Sequence, residues 1–386
     1  MTTHNWLLPE NVEDILPAQA WYIETLRRRL LDLFHGHGYQ LIVPPLLEYL
    51  PSLLTGSGYD MDTKTFKLVD QLSGRMMGLR ADITPQAARI DAHLLNRQGV
   101  VRLCYAASVV HTLPDGLMKT REPLQVGVEL FGHGGIEADV EVQQMMLDVL
   151  EIAGVKQVHL DLGHVGIFRS LMKNGNVSPE LEAGLFGALQ GKDSAVLVEL
   201  SQSLAQPIRE ALCLLPTLYG EVTILEEARR KLPDYPEITE ALDDLANIAG
   251  QLQGRVVRLC VDLAELRGYH YHSGVVFAAY SEGWANAIAQ GGRYDEVGRV
   301  FGRSRPATGF SLDLRNLCEG LPVPGLAPSI LAPYIQDKVL RDTINTLRAQ
   351  GETVVVDLPG HEAQQGELDC DRRLVKRDGS WHVEII

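Results

Sequence analysis

The stretch from Leu79 to Glu129 limits the possible folds more than any other part of the chain. It opens LRADITPQAAR, where Thr84 followed by Pro85 marks a helix start: a capping hydroxyl, then proline at the first helical position. The helix continues to about Asn96. Two segments rich in β-formers follow, Val100 to Val110 and Leu124 to Phe131, and read as long strands. Gln125 and Glu129 stand four apart in the second, so both side chains point to one face. Two hydrogen-bonding groups on one strand face suit a polar pocket. The plainer alternative is a solvated sheet face, but the surrounding LQVGVELFG is otherwise apolar. Arg80, Asp82 and Thr84 lie where a strand ends and the helix starts. A helix N-terminus attracts anions, while Asp82 and Thr84 offer oxygen acceptors to an ammonium group. Thr84 as a cap and Asp82 as a complement to the helix dipole is the structural alternative, and both can hold together.

The rest of the chain fits an α+β architecture. Pro17 to Phe34 predicts an amphipathic helix, with Leu26, Leu30 and Leu33 at helical spacing, closed by Gly36 and Gly38. Tyr39 to Val43 predicts a strand ended by Pro44-Pro45. Thr65–Val69 and Met76–Leu79 flank Ser73-Gly74, a hairpin signal. Glu137 to Ala153 is a helix and Val155 to Leu162 a strand. From Ser178 to Gln253 strand signals vanish, and Leu/Ala/Glu patterns broken by Pro207, Pro216, Pro233 and Pro236 predict a helical insertion. Strands resume over Val256–Leu263, Tyr271–Tyr280 and Ala285–Ala289, and Gly309 to Leu317 is a strand-to-helix unit. Leu321 to Pro328 reads as a linker. The expected organisation is an antiparallel sheet flanked by helices, built from residues 1–177 and 254–320, with the insertion at 178–253 and a small α/β module at 328–386.

Composition narrows the function. Hydrophobic content of 45% and charged content of 22% are ordinary for a soluble globular chain. No apolar run approaches the ~20 residues that span a bilayer, and the N-terminus has no basic region leading into an apolar core, so the expected location is the cytoplasm. A net charge of −15 argues against the broad basic surface that nucleic acid requires. The five cysteines are scattered without a CxxC pair, which disfavours a disulfide framework or a cysteine zinc site. His270 and His272, expected on one strand face, have no third His or Cys nearby, and His35 and His37 read as a helix-end feature, so no metal is expected. No P-loop, no GxGxxG after a strand, no GxSxG and no HExxH occurs, and no cofactor is indicated.

Taken together, LRADITPQAAR and REPLQVGVELFG resemble the second signature motif of class II aminoacyl-tRNA synthetases, and within that class the histidyl family. GYQLIVPPLLE resembles the first motif, which implies a homodimer formed through it. GGRYDEVGRVFG with PATGFSLDLRNL resembles the third, and LRGYHYHSGVVF resembles the histidine-specific signature. The resemblance covers about residues 5 to 320 and implies a histidine site at Asp82, Thr84, Gln125, Glu129, Arg267, Tyr271 and His272. Asp82 and Thr84 would hold the α-amino group with Gln125, and Glu129 would meet the imidazole.

The departures fall on the ATP side. Aligned without gaps from Tyr105 to Gly132, the arginine that clamps the α-phosphate falls on His111, and the following glutamate on Leu113. Leu113-Pro114-Asp115-Gly116 reads as a turn, and Arg121 is expected to order the strand end. The terminal arginine of the third motif falls on Asn316, with Arg315 one place earlier and so about 100° round the helix. Arginine is an always-charged bidentate clamp, and a mostly neutral histidine cannot replace it. In the histidine signature, Tyr269, His270 and His272 differ from the usual residues, with His272 where a second tyrosine is common. A synthetase body that keeps the amino-acid site and loses the phosphate clamps resembles the regulatory subunits of ATP phosphoribosyltransferase in histidine biosynthesis. That resemblance implies no catalysis in this chain, a short-form catalytic partner subunit, L-histidine as feedback effector, and a homodimer within a larger hetero-oligomer. An active adenylating enzyme and an RNA-binding module are the rival readings.

Overall fold

Alternation along the Leu124–Phe131 strand sets the layers. Val126, Val128 and Leu130 face one way and are at most 2% exposed, packed into the main core. Gln125, Gly127 and Glu129 face the other way. The computed structural model describes residues 7–54, 59–114, 116, 119–325 and 328–386. They form two compact units, Met1–Pro322 and Val323–Ile386.

The first unit is built on a nine-stranded sheet. Six strands form an antiparallel centre in the order Val101–Ser108, Leu124–Phe131, Ala307–Asp313, Ala289–Arg293, Val275–Tyr280 and His159–His164. Gln40–Leu41 adds a parallel strand at one end. Arg258–Asp262 adds a parallel strand at the other, followed by the antiparallel Tyr219–Glu221. Helices Pro17–Gly36 and Ile136–Ala153 cover one face. Their apolar stripes, Ile23, Leu26, Leu30 and Phe34 on the first and Val142, Met145, Met146 and Val149 on the second, are buried in the same core. Each fully buried side chain of this kind contributes about 1.5–3 kcal/mol by leaving water.

Several expectations are corrected. The Tyr39–Val43 strand shrinks to Gln40–Leu41, because Pro44 and Pro45 have no N–H to extend a ladder and Val43 turns out to 83% exposure. Thr84 does not cap its helix. Ile83 holds the cap position, the Asp82 carboxylate accepts from the Thr84 N–H at 3.0 Å, and the Thr84 hydroxyl turns to Tyr105. The α-helix Thr84–Arg89 continues as a π-helical turn, Ile90–Leu95, and stops at Asn96 in the left-handed region. Tyr271 and His272 precede the strand, which starts only at Val275, because the chain turns at Gly268 with φ +64°. The strand expected at Ala285–Ala289 lies at Ala289–Arg293. The helical stretch after Ser178 also contains the strand Tyr219–Glu221, too short to carry a β pattern of its own. Asp115 in the expected turn, and residues 326 and 327 in the expected linker, fall outside the described residues.

The second unit has a four-stranded sheet in the order Val354–Asp357, Ser329–Pro333, Cys370–Arg377 and Ser380–Ile385. Helix Lys338–Ala349, capped by the Asp337 carboxylate, places Leu340 and Ile344 against Ile330, Val354 and Leu374. No described helix is long and apolar enough to cross a membrane.

Candidate functional site

The sheet face away from the two covering helices is hollowed by glycine. One row across it reads Leu103, Glu129, Gly309, Gly292, Val276 and Gly163. A Cβ on Gly309 would collide with the Glu129 carboxylate; on Gly292 it would lie 2.7 Å from the His272 ring, and on Gly163 2.9 Å from Glu265. Gly292 and Gly309 of this row are in the wall of a cavity of about 190 Å³. That is smaller than the roughly 300–1,000 Å³ of pockets for drug-sized ligands, and matches an amino acid better. Asp82, Thr84, Glu129, Arg267, Tyr271 and His272 are in its wall.

Glu129 is 1% exposed. Its Oε1 accepts from the Tyr105 hydroxyl at 2.9 Å, and its Oε2 accepts from Tyr294. Burial pushes the carboxyl up to about 8, and the Asp82 charge adds to that, against the lowering effect of hydrogen bonds from Tyr294, Tyr105 and Thr84. Burial thus favours the protonated form of Glu129. The Tyr271 hydroxyl is buried with no hydrogen-bond partner, and its ring lies 5.0 Å from that of Tyr294. An unpaired buried hydroxyl costs about 1–3 kcal/mol, a cost that a polar ligand removes. His272 places Nδ1 3.2 Å from the Arg267 carbonyl, which assigns the proton to Nδ1 and leaves Nε2 as an acceptor. Burial pushes this imidazole down to about 4, so it is neutral. Asp161 and Glu265 stand at the Arg267 side of the wall. Burial raises the Asp161 carboxyl, and Asp262 and Glu265 add to the effect. Such a mixture of acids with one guanidinium suits a zwitterion that also carries a basic ring.

Six of the seven residues expected from the sequence thus meet in one cavity. Gln125 stands behind the wall: its Oε1 accepts from the Ile83 N–H at 2.9 Å, and its Nε2 donates to Asp82 at 2.7 Å and Ser311 at 3.2 Å. Its amide is spent on holding Asp82 rather than on facing a ligand. His111 is 9% exposed with Nε2 2.9 Å from the Ala81 carbonyl, and it is not part of the wall. Asn316 accepts the Trp284 indole N–H through its backbone carbonyl. Arg315, 6% exposed, donates to the Glu122 carbonyl at 3.2 Å and pairs with Glu13, away from the cavity. Arg121 donates to the His111 carbonyl at 3.1 Å and lies over the Phe66 ring, which orders the strand end. Among the described residues, Arg267 is the one guanidinium in the cavity wall. His270 and His272 share a turn and not a strand face, and no cluster of three or more metal-ligating side chains occurs among the described residues.

Sequence reasoning missed the donors to Glu129. Tyr105 sits opposite Gly127 across the strand pair, and a tyrosine facing a glycine inside an apolar strand was the available signal. Tyr294 was visible only as part of GGRYD, where Arg293 locks the segment from the opposite face through a buried ion pair to Asp139 at 2.6 Å.

This sheet, its strand order and its amino-acid-sized cavity define a histidyl-tRNA synthetase-like body. The family described as "Histidyl-tRNA synthetase" matches residues 11–317, and the family described as "ATP phosphoribosyltransferase subunit HisZ C-terminal domain" matches residues 327–384. The chain is 57% identical over 388 residues to the ATP phosphoribosyltransferase regulatory subunit of Nitrosospira multiformis, covering 99% of each. It is 57% identical over 379 residues to that of Burkholderia cenocepacia, covering 98% of this chain and 99% of the relative. A crystal structure described as an ATP phosphoribosyltransferase regulatory subunit/histidyl-tRNA synthetase from Bacillus halodurans superimposes with a TM-score of 0.85 at 28% identity, covering 97% and 98% of the two chains. The histidyl-tRNA synthetase of Nostoc shares the fold, with a TM-score of 0.77 at 19% identity, over 97% of this chain and 92% of that one. The chain belongs to the family of ATP phosphoribosyltransferase regulatory subunits, and its role in histidine biosynthesis is regulatory and not catalytic.

Proposed function

We propose that the cavity binds L-histidine, and that this binding is how the chain regulates ATP phosphoribosyltransferase. The supporting observation is the pairing of a buried acid, Glu129, with an unpartnered Tyr271 hydroxyl in a cavity of amino-acid size. Asp82 and Thr84 receive the ammonium group, with Gln125 fixing Asp82. Glu129, Tyr271 and His272 read the imidazole, and the Arg267 guanidinium offsets the ligand carboxylate. Passing the Glu129 proton to the ligand ring leaves a carboxylate facing an imidazolium, a charge-assisted contact stronger than a neutral one.

The chain acts in the cytoplasm as a homodimer within a larger hetero-oligomer. It assembles with a short-form catalytic subunit that joins ATP to phosphoribosyl pyrophosphate. Histidine then inhibits by binding one state of the assembly more tightly than another, the requirement for any effector. The test uses the reconstituted complex. Histidine inhibits phosphoribosyl transfer by the wild type, and Tyr271→Phe raises the half-inhibitory concentration by about tenfold, the worth of one hydrogen bond near 1.4 kcal/mol. Superimposable inhibition curves for the two complexes would contradict a histidine site in this cavity.

A further inference from the structure

The loop Arg267–His272 has two sides. Arg267, Gly268, Tyr271 and His272 are in the cavity wall. Tyr269 and His270, two of the residues that depart from the histidyl signature, turn the opposite way. Tyr269 is 5% exposed. Its ring stacks on Phe186 with centroids 5.3 Å apart and meets the edge of Phe168 at 5.2 Å. Its hydroxyl donates to Glu182 at 2.7 Å. The His270 ring packs on the same Phe186 at 5.3 Å. Glu182 and Phe186 both belong to helix Pro179–Gln190, the first helix after the break at Ser178. Arg169 completes the clamp by donating to the Tyr269 carbonyl at 2.8 Å.

The loop is wound tightly between these two sets of contacts. The Tyr271 and His272 N–H groups both donate to the Gly268 carbonyl at 2.8 Å, and the Tyr269 N–H donates to Leu266 at 3.0 Å. Gly268 has φ +64°, and a Cβ there would lie 2.5 Å from His272 Nδ1. A loop held by such short local bonds moves as one piece, so a shift of Tyr271 and His272 onto a ligand carries Tyr269 and His270 with it. Packed aromatic contacts switch between discrete arrangements more readily than they stretch.

We propose that Tyr269 and His270 are positioning residues that transmit occupancy of the cavity to helix Pro179–Gln190, making the helical insertion the element that responds to histidine. This rests on histidine binding in the cavity and adds to it the direction in which binding is passed on. Coupling is reciprocal, so loosening the clamp from the helix side alters histidine affinity although Phe186 is outside the cavity wall.

The test combines calorimetric titration with hydrogen exchange on the purified full chain, using L-histidine as the probe. Wild-type amides of 179–190 exchange at a rate that changes several-fold on saturation with histidine. In Phe186→Leu and in Tyr269→Leu that histidine-dependent change is lost, and histidine affinity shifts by about fivefold, the lower end of typical coupling. The double variant shifts affinity no further than either single one. A merely structural clamp would speed exchange with and without histidine and leave the difference intact. Histidine binding that leaves 179–190 unchanged in the wild type overturns this inference alone. No binding heat in the wild type overturns the histidine site and the relay together. Glu182→Gln, which keeps the stacking, preserves the fold and is expected to give a partial loss of the same difference; if Tyr269→Leu does not fold, this variant decides, and an undiminished difference overturns the relay.

Discussion

Glu129→Gln isolates the buried acid at the centre of the cavity. The Glu129 carboxyl is raised from 4.5 to about 8, with burial as the first cause. A carboxyl raised on folding binds its proton more tightly in the native state than in the unfolded chain. Its contribution to stability is therefore fully present below pH 4.5 and is lost as pH rises towards 8. Each pH unit in that window removes about 1.4 kcal/mol. Between pH 5.5 and 7.5 the loss is roughly 2–3 kcal/mol. Glutamine has nearly the same shape, can accept from one of Tyr105 and Tyr294 while its NH2 donates to the other, and does not titrate, so Glu129→Gln is expected to lose that much less over the same interval. The assay is urea unfolding of both chains at the two pH values and one fixed protein concentration, without histidine. Every other titrating group is common to both proteins and drops out of the difference. Equal pH slopes for the two would refute a neutral buried Glu129.

Gly309→Ala puts a Cβ onto the Glu129 carboxylate; it is expected to abolish measurable histidine binding by calorimetry and to cost about 1–3 kcal/mol in urea unfolding. His111→Arg alone is expected to give no histidine-dependent pyrophosphate–ATP exchange, because the second guanidinium position is Asn316 and Arg315 is engaged by Glu122 and Glu13. Asp139→Ala removes the closer carboxylate partner of buried Arg293, leaving it Asp295 and the carbonyls of His133 and Gly135, and is expected to cost about 1–3 kcal/mol, read by chemical denaturation.

The sequence made visible what period and local chemistry encode. Leu26 and Leu30 declared the helix that now covers the sheet, and the spacing of Gln125 and Glu129 correctly put both on one face. What each of them does depended on neighbours distant in sequence. Gln125 fixes Asp82 and Ser311, and Glu129 takes its hydroxyl donors from Tyr105 and Tyr294. The cavity floor was hidden for the same reason. Gly292 and Gly309 meet beside Glu129 only once the strands Ala289–Arg293, Ala307–Asp313 and Leu124–Phe131 lie side by side. Thr84 followed by Pro85 pointed to the correct helix start but to the wrong cap, because Asp82 reaches the first free N–H and frees the hydroxyl for Tyr105. The loss of the phosphate clamp was legible at His111 and Asn316 as residue identity alone, and the fold adds where the nearby Arg315 is held instead.

Calorimetric titration of the purified chain with L-histidine, run with and without magnesium ATP, tests most directly whether amino-acid recognition has been kept apart from adenylation. The expected result is one saturable site per chain, with an affinity that ATP leaves unchanged. Binding that requires ATP, or heat that grows with turnover of the nucleotide, would contradict it.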